Sequence, residues 1–172
     1  MSGLLQLARS AEGNSPALRQ RILWTLAGID APQARQAVRA ILAGETDPEV
    51  GRVALEVSGL WRDPEALGQV LPFLHDPADT APLLQRVAVE AAGRLQDARA
   101  LPPLLQQLSS LPLLPEDAVD ATGSPRGAAE RIHEHAVIYA IYETLLANPE
   151  LVPTLQQALQ SDSPRAVRGA LV

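Results

Sequence analysis

Residues that could do chemistry stand close together between positions 130 and 135. Glu130 and His133 have the i, i+3 spacing that carboxylate-bridged metal sites use in helical bundles, and Glu134 and His135 follow. On a helix, His133 and His135 point about 200° apart, so the two imidazoles cannot share one ion. Because such metal sites draw on several helices and the remaining histidine is His75, we expect no metal site here.

A second group of ionisable residues lies in a proline-rich stretch at about 109–126. Glu116, Asp117 and Asp120 stand close together in it. Acids beside prolines in a loop are normally solvated, and general acid–base catalysis needs a pocket and a partner that shift a pKa. The sequence therefore predicts no catalytic residue and no cofactor. Loops that interrupt a regular scaffold often carry binding sites, which makes this stretch a second candidate binding region.

The composition excludes several kinds of site. The 172 residues include no cysteine, which rules out disulfides, thiolate metal sites and cysteine-attached haem. All 14 basic residues are arginines, so no lysine is present for a P-loop or a Schiff base. A net charge of -6 argues against nucleic-acid binding. Residues 1–7 lack a signal-peptide pattern, and no apolar run is long enough for a membrane span. We therefore expect a soluble chain, and the sequence does not indicate its compartment.

Proline spacing predicts where helices begin. Alanine and leucine make up about a third of the chain, while β-branched and aromatic residues are scarce, which favours helices over strands. Prolines recur every 16 residues at Pro16, Pro32, Pro48 and Pro64, most of them after Ser or Asp. A short polar residue before proline is a helix-start signal, because its side chain accepts an orphan backbone N–H. The spacing predicts helices of about 12 residues in paired units of about 34 residues.

These units can be overlaid on one another. Residues 21–28, 52–59 and 86–93 each run from an arginine to a glycine and are predicted to be first helices. Residues 67–74 and 101–108 each carry an apolar i, i+3, i+4, i+7 stripe and are predicted to be second helices. The repeat predicts an all-α fold, an α-α superhelix of about four to five helical hairpins.

The last part of the chain departs from this regular spacing. A copy of the segment at Leu101 begins again at Leu151, which predicts an insertion at about 109–126 within a single domain spanning 1–172. The apolar residues 170–172 fall within a helical pattern, whereas terminal repeats normally carry polar caps. We therefore expect either a fragment of a longer chain or ends that stack on neighbouring copies.

The pattern of Asp-Pro helix starts and Asp-x-x-Ala-Leu turns, at Asp63 and Asp97, resembles HEAT-like repeats, especially the short kind named after phycobilisome lyases. The segment 135–141, followed by Asn148-Pro and Ser163-Pro, also resembles repeat regions of large planctomycete-type proteins that combine a dehydrogenase-like propeller with a cytochrome c domain. The resemblance implies that first helices lie on the convex side and second helices on the concave side. Because this repeat hosts many unrelated roles, it predicts fold rather than function.

Recurring charged residues indicate contacts between neighbouring units. The overlay places an arginine near the start of each first helix and an aspartate in the turn after it. We predict an Arg–Asp ladder that ties adjacent turns together, formed by Arg21, Arg52, Arg86, Asp30, Asp63 and Asp97.

The outward row of the second helices is nearly uncharged and rich in glutamine, whose amide both donates and accepts hydrogen bonds. Such a row suits a peptide backbone or a polar peptide. Phe73 is either an exposed anchor for a partner or a residue that packs against the next repeat. The predicted partner-binding residues are Arg35, Arg39, Phe73, Gln106, Gln107, Gln156 and Gln157.

The sequence thus favours a non-catalytic module that binds a protein or peptide or acts as a scaffold. One alternative is an accessory unit of an enzyme, either bilin-lyase-like or within a multidomain haem dehydrogenase. Another is a HEAT-like DNA glycosylase, which would need a basic groove where this chain offers only Arg35 and Arg39. We expect Tyr139 and Tyr142, on an apolar helix, to pack in the core or between repeats.

Overall fold

The chain folds into helices that pair as hairpins. The structure, a computed structural model, describes residues 15–29, 31–75, 81–111 and 127–158. In chain order the helices are α1 (Pro16–Ala27), α2 (Pro32–Gly44), α3 (Pro48–Leu60), α4 (Leu67–Val70), α5 (Pro72–His75), α6 (Pro82–Leu95), α7 (Leu101–Ser110), α8 (Ala128–Ala147) and α9 (Val152–Ala158). Short 3-10 turns at Pro64–Ala66, Ala98–Ala100 and Pro149–Leu151 lead into α4, α7 and α9. These ranges contain no strand, and the predicted all-α class is confirmed.

Polar caps and prolines start the helices as predicted. The Ser15 hydroxyl accepts a hydrogen bond from the Leu18 backbone N–H at 3.4 Å, immediately before Pro16. The Asp47 carboxylate accepts two such bonds ahead of Pro48, from the N–H groups of residues 49 and 50. The fixed φ of proline and its missing N–H fit the first helical position, where that N–H would have no partner in the helix.

The second helix of the second hairpin is interrupted. The sequence predicts one helix over 67–74, but α4 ends at Val70, and α5 begins at Pro72 after a turn at Leu71. Pro72 has no N–H to donate to the carbonyl of Gly68, and its ring crowds that carbonyl. The break bends the chain without removing Leu67, Val70 and Leu74 from the core.

The helices form two layers. First helices α1, α3, α6 and α8 contact one another in sequence and form one row. Second helices α2, α4, α5 and α7 contact one another in sequence and form the other. The apolar faces of both rows meet in one continuous core. This arrangement is a HEAT-like solenoid, with four hairpins in the described ranges. No helix there is long and apolar enough to cross a membrane.

Two predictions fall largely outside these ranges. The chain between α7 and α8 includes the predicted insertion at about 109–126, of which only Ser109, Ser110 and Leu111 are described. The insertion therefore stays a prediction. Asp30, a predicted member of the Arg–Asp ladder, also lies outside the described residues.

Candidate functional site

The exposed residues of the second helices form an uncharged surface, which we call the second-helix surface. No exposed residue of α2, α4, α5, α7 or α9 is Asp, Glu or Arg. Its most prominent members are Gln33, Gln36, Ala40, Gly68, Pro72, Pro102, Gln106, Pro153, Gln156 and Gln157. Glutamine amides on this surface offer both donors and acceptors, while proline, alanine and glycine leave the helix backbone easy to approach.

Gln106 and Gln107, predicted side by side on this surface, lie in different environments. Gln106 is exposed, whereas Gln107 is only 3% exposed. The Gln107 Nε2 group donates to the Leu74 carbonyl at 2.9 Å and so joins α7 to the end of α5. Its Oε1 atom is buried without a hydrogen-bond partner. Gln107 therefore ties two hairpins together and is not available to a partner, which corrects its predicted role.

Phe73 is half-buried and packs against the core cluster. Of the two interpretations open for it, an exposed anchor or a packing residue, the structure shows the packing. Gln156 and Gln157 on α9 are exposed, as expected of residues that could meet a partner.

Arg35 and Arg39 are both held by the following hairpin. The Arg39 guanidinium lies 2.6 Å from an Asp63 oxygen and 2.7 Å from a Glu65 oxygen. The Arg35 guanidinium lies over the Trp61 ring, 5.5 Å from its centroid, and donates to the Trp61 carbonyl at 3.2 Å. These contacts stabilise the junction between the first two hairpins beneath the second-helix surface.

Other side chains tie the turns of successive hairpins together. The Trp61 indole N–H donates to the Ala27 carbonyl at 3.2 Å. The Asn148 amide donates to the carbonyls of Gln96 at 2.8 Å and Thr144 at 2.7 Å. Gln96 has a left-handed backbone, with φ of 57°, at the end of α6. The amide of Asn148 therefore fixes this turn to the end of α8.

The predicted Arg–Asp ladder does not form at the positions that the structure describes. Arg52 pairs with Glu49 and Glu56 of its own helix, and the hydrogen bond that it donates to Glu49 is the main cause that raises the Arg52 pKa. Arg86 lies 3.6 Å from Glu90, one turn along α6. Helical neighbours three or four residues away are within easy reach of an arginine, so these arginines pair within their own helices and not with the aspartates of the turns.

The aspartates of the proposed ladder instead organise the turns that follow them. Asp63 accepts from the Glu65 N–H and pairs with Arg39. Asp97 accepts from the Arg99 N–H and side chain, and the Arg99 hydrogen bond lowers the Asp97 pKa below its ordinary value. Arg21 is exposed on α1. The recurrence of Asp thus reflects capping of the 3-10 turns.

His133 and His135 lie on different sides of α8, as the helical geometry requires. His133 is buried, and its Nδ1 atom has no hydrogen-bond partner. Burial and, secondarily, the charge of Arg86 lower the pKa of His133. His135 is exposed. No three His, Asp or Glu side chains in the described part of the chain are grouped so that they could hold a metal ion.

The outer faces of the first helices differ between the middle and the end of the row. The outer faces of α3 and α6 carry paired charges, among them Arg52 with Glu56 and Arg86 with Glu90. The exposed side of α8 is largely apolar, and it includes Tyr139 and Tyr142, whose ring centroids are 6.1 Å apart. The expectation that both tyrosines pack in the core or between repeats is wrong for the part of the chain that the structure describes, because both are more than half exposed and α8 buries only the side that faces its described neighbours.

The sequence contained a signal for this exposed face that the repeat overlay did not use. Ile132, His135, Tyr139, Tyr142 and Leu146 follow an alternating three- and four-residue spacing. That spacing puts all five on one side of a helix.

A family model for HEAT repeats matches residues 1–81 and again residues 40–113. Comparisons with curated proteins and with solved structures give no match. The comparisons support neither the phycobilisome-lyase type of repeat nor the planctomycete multidomain context that the sequence resembles. HEAT repeats typically bind protein partners or serve as scaffolds. With more than half of its length matched and hairpins stacked in two rows, the chain belongs to the family of HEAT repeat proteins.

Proposed function

We propose that this chain is a non-catalytic protein-interaction module that binds an extended, uncharged polar segment of a partner protein along its second-helix surface. The observation that carries the proposal is the absence of Asp, Glu and Arg from the exposed residues of the described second helices. The proposed contact residues are Gln36, Gln106, Gln156 and Gln157, which are exposed on three different hairpins.

The chemistry of this surface fits a peptide backbone better than a charged ligand. Each glutamine amide can donate to a carbonyl and accept from an N–H of an extended segment. Pro72, Pro102 and Gly68 are exposed between the glutamines and project little side-chain bulk, so a backbone can approach the helices. A surface without formal charges gains little from electrostatic attraction, so binding should respond weakly to salt.

The layer beneath this surface supports the proposal because it is fixed by contacts between hairpins. Gln107 is bonded to the Leu74 carbonyl, and Arg39 is paired with Asp63 and Glu65. A surface that is already ordered loses less conformational entropy when it binds. Gln36 and Gln106 are thus presented on a pre-organised row of helices.

The proposal can be tested with three baits in a pull-down from source lysate. The first is the wild-type chain, and the second carries Gln36→Arg, Gln106→Arg and Gln156→Arg. The third is a charge-matched control with Thr25→Arg, Leu60→Arg and Leu83→Arg, all at exposed positions on first helices. We expect the wild type and the control to capture a protein that the second bait does not.

Two outcomes would count against the proposal. In one, all three baits capture the same protein equally, which would place binding away from the second-helix surface. In the other, the wild type captures nothing above an empty resin, which would favour a spacer role. A captured protein should also remain bound when salt is raised from about 0.1 M to about 0.5 M, because charge screening has little to weaken.

A further inference from the structure

We propose that residues 164–172 form a fifth first helix, which packs along α8 and covers Ile138 and Tyr142. These residues lie outside the described ranges, and the proposal rests on the described helix that would receive them and on the sequence of the segment. It concerns a different face from the second-helix surface and does not depend on the proposed function.

The junctions of α3 with α6 and of α6 with α8 share one register. A Cβ added to Gly59 of α3 would lie 3.1 Å from the Ala91 Cα of α6. A Cβ added to Gly93 of α6 would lie 2.6 Å from the Ala140 Cα of α8. Ala91 and Ala140 are therefore equivalent, and each of the two glycines faces the following first helix. Since Gly93 follows Ala91 by two residues, its counterpart in α8 is Tyr142, which faces the next place in the row.

The side of α8 that faces this place is open among the described residues. Ile138 lies one helical turn before Tyr142, and its counterparts in α3 and α6 are Leu55 and Val89. Both counterparts are 0% exposed, with a following first helix beside them. Ile138 is partly exposed, and Tyr142 is 52% exposed. A further first helix would cover at α8 what the following helix covers at α3 and α6.

Residues 164–172 have the sequence of such a helix. In α3 and α6 the first proline is followed by arginine four residues later, alanine six residues later, and leucine or valine seven residues later. The alanine and the leucine or valine at these places are 0% exposed in both helices. Ser163 before the segment repeats the serine whose hydroxyl caps α1. The segment repeats the rest of the pattern at Pro164, Arg168, Ala170 and Leu171.

The linker before the segment has a suitable length. Helix α9 ends at residue 158, so residues 159–163 must lead from the row of second helices back to the row of first helices. The three residues 45–47 make this connection between α2 and α3, and the six residues 76–81 make it between α5 and α6. A linker of five residues is therefore long enough to bring Pro164 beside the start of α8.

The segment has small residues where α8 has large ones. The contacts of Gly51 and Gly59 with α6 place the counterpart of Ile138 level with residues five and six positions after the first proline of the following helix. In the segment these residues are Gly169 and Ala170. The earlier junctions put small residues on the preceding helix, whereas here the following helix would supply them and leave room for the larger side chains of α8.

Two other occupants of this face are the predicted insertion at about 109–126 and a second copy of the chain. The insertion carries Glu116, Asp117 and Asp120, and carboxylates that pack against an apolar helix side lose hydration without gaining a partner. The segment 164–172 has no carboxylate and continues the row that the described first helices form. It is therefore the occupant that the face of α8 fits best.

Paired substitutions in the segment test whether it is packed. Leu171 takes the place of Leu55 and Val89, so we expect Leu171→Asn to lower the melting temperature by at least about 4 °C. Arg165→Asn is the matched control, since its counterparts in α3 and α6 are exposed, and it should shift the melting temperature by less than about 1 °C. Equal shifts in the two variants would overturn the proposal.

Paired cysteines test where the segment packs. The chain has no cysteine, so each variant holds only the thiols that are introduced. Ile138→Cys is combined with Gly169→Cys in one variant and with Asp120→Cys, in the insertion, in another. Under mild oxidation in dilute solution, we expect the first pair to form an intramolecular disulfide at least ten times faster than the second. Position 120 is nearer to position 138 along the chain, so loop closure alone would favour the second pair.

The disulfide products separate the three occupants of the face. Equal rates for the two pairs, including no reaction of either, would overturn the proposal. A faster reaction of the second pair would overturn it in favour of the insertion. A disulfide-linked dimer of Ile138→Cys alone that forms as fast as the intramolecular disulfide would overturn it in favour of a second copy.

Discussion

Gly93 and Ala140 bring α6 and α8 so close that no side chain fits between them. A Cβ on Gly93 would lie 2.6 Å from the Ala140 Cα and 2.8 Å from its Cβ. At the equivalent approach of α3 and α6, a Cβ on Gly59 would lie 3.1 Å from the Ala91 Cα. The recurring glycines thus set the spacing of the first helices, and the tightest contact lies at the last described pair.

Replacing Gly93 by alanine should be the most damaging of the glycine substitutions. The added methyl group meets backbone, which can move only if α8 moves with it, so we expect Gly93→Ala to lower the free energy of unfolding by about 2–3 kcal/mol. Gly59→Ala should cost less, about 1 kcal/mol, because the contact at 3.1 Å needs only a small shift. Urea unfolding followed by circular dichroism measures both values.

Gly68→Ala is the matched control for this pair. Gly68 lies in α4, and nothing stands within 4 Å of an added Cβ. Alanine there should stabilise the fold by roughly 0.5–1 kcal/mol, because it restricts the unfolded chain. A Gly93→Ala variant as stable as Gly68→Ala would contradict the close approach of α6 and α8.

The sequence predicted the fold well because its signals were local. Caps and prolines act within one turn of a helix, so Ser15-Pro16 and Asp47-Pro48 predicted the starts of α1 and α3 correctly. The apolar stripe at 101–108 likewise predicted which side of α7 is buried, except for Gln107. Repetition of these signals was enough to predict stacked hairpins.

The candidate site was harder to predict because burial at a helix edge depends on the neighbouring hairpin. Gln107 differs from Gln106 by one position, and only the approach of the Leu74 carbonyl buries it. Arg52 pairs with Glu56 of its own helix instead of with an aspartate of a neighbouring turn, and an overlay of repeats does not compare these two kinds of partner. Tyr139 lies on an apolar helix whose outer side has no neighbour within the described residues, and hydrophobicity alone does not show that.

Removing the charge of Arg39 should destabilise the junction of the first two hairpins. Asp63 is 3% exposed at its side chain and would lose the partner that offsets the cost of burying a carboxylate. We expect Arg39→Met to lower the free energy of unfolding by about 2–4 kcal/mol. Arg52→Met, whose partners Glu49 and Glu56 are more exposed, should cost under about 1 kcal/mol. Similar losses in the two variants, measured by urea unfolding, would show that the Asp63 contact contributes no more than a surface pair.

Neighbouring glutamines on α7 should respond very differently to the same isosteric change. Gln107→Glu removes the donor to the Leu74 carbonyl and places a carboxylate beside it in a buried position, so we expect a loss of about 2–3 kcal/mol at pH 7. Gln106→Glu, at an exposed position, should change stability by less than about 0.5 kcal/mol. Thermal unfolding of both variants checks this, and equal melting temperatures would contradict the burial of Gln107.

His133 should make the fold less stable in mild acid. Its pKa is lowered by burial and by Arg86, so the unfolded chain binds a proton more readily than the folded chain. Stability from this residue is complete above the ordinary histidine pKa of about 6.5 and falls as the pH drops below it, by at most about 1.4 kcal/mol per pH unit. Urea unfolding between pH 7.5 and pH 5.5 should show a shallower decline for His133→Gln than for the wild type. Parallel declines would contradict a lowered His133 pKa.

Site-specific photo-crosslinking to the captured partner tests the second-helix surface most directly. A photo-reactive amino acid is placed at Gln106 in one variant and, as the control, at Glu56 on the outer face of α3 in another. Binding along the second helices predicts a crosslinked product from position 106 and none from position 56. A product from position 56 with none from position 106 would contradict the account.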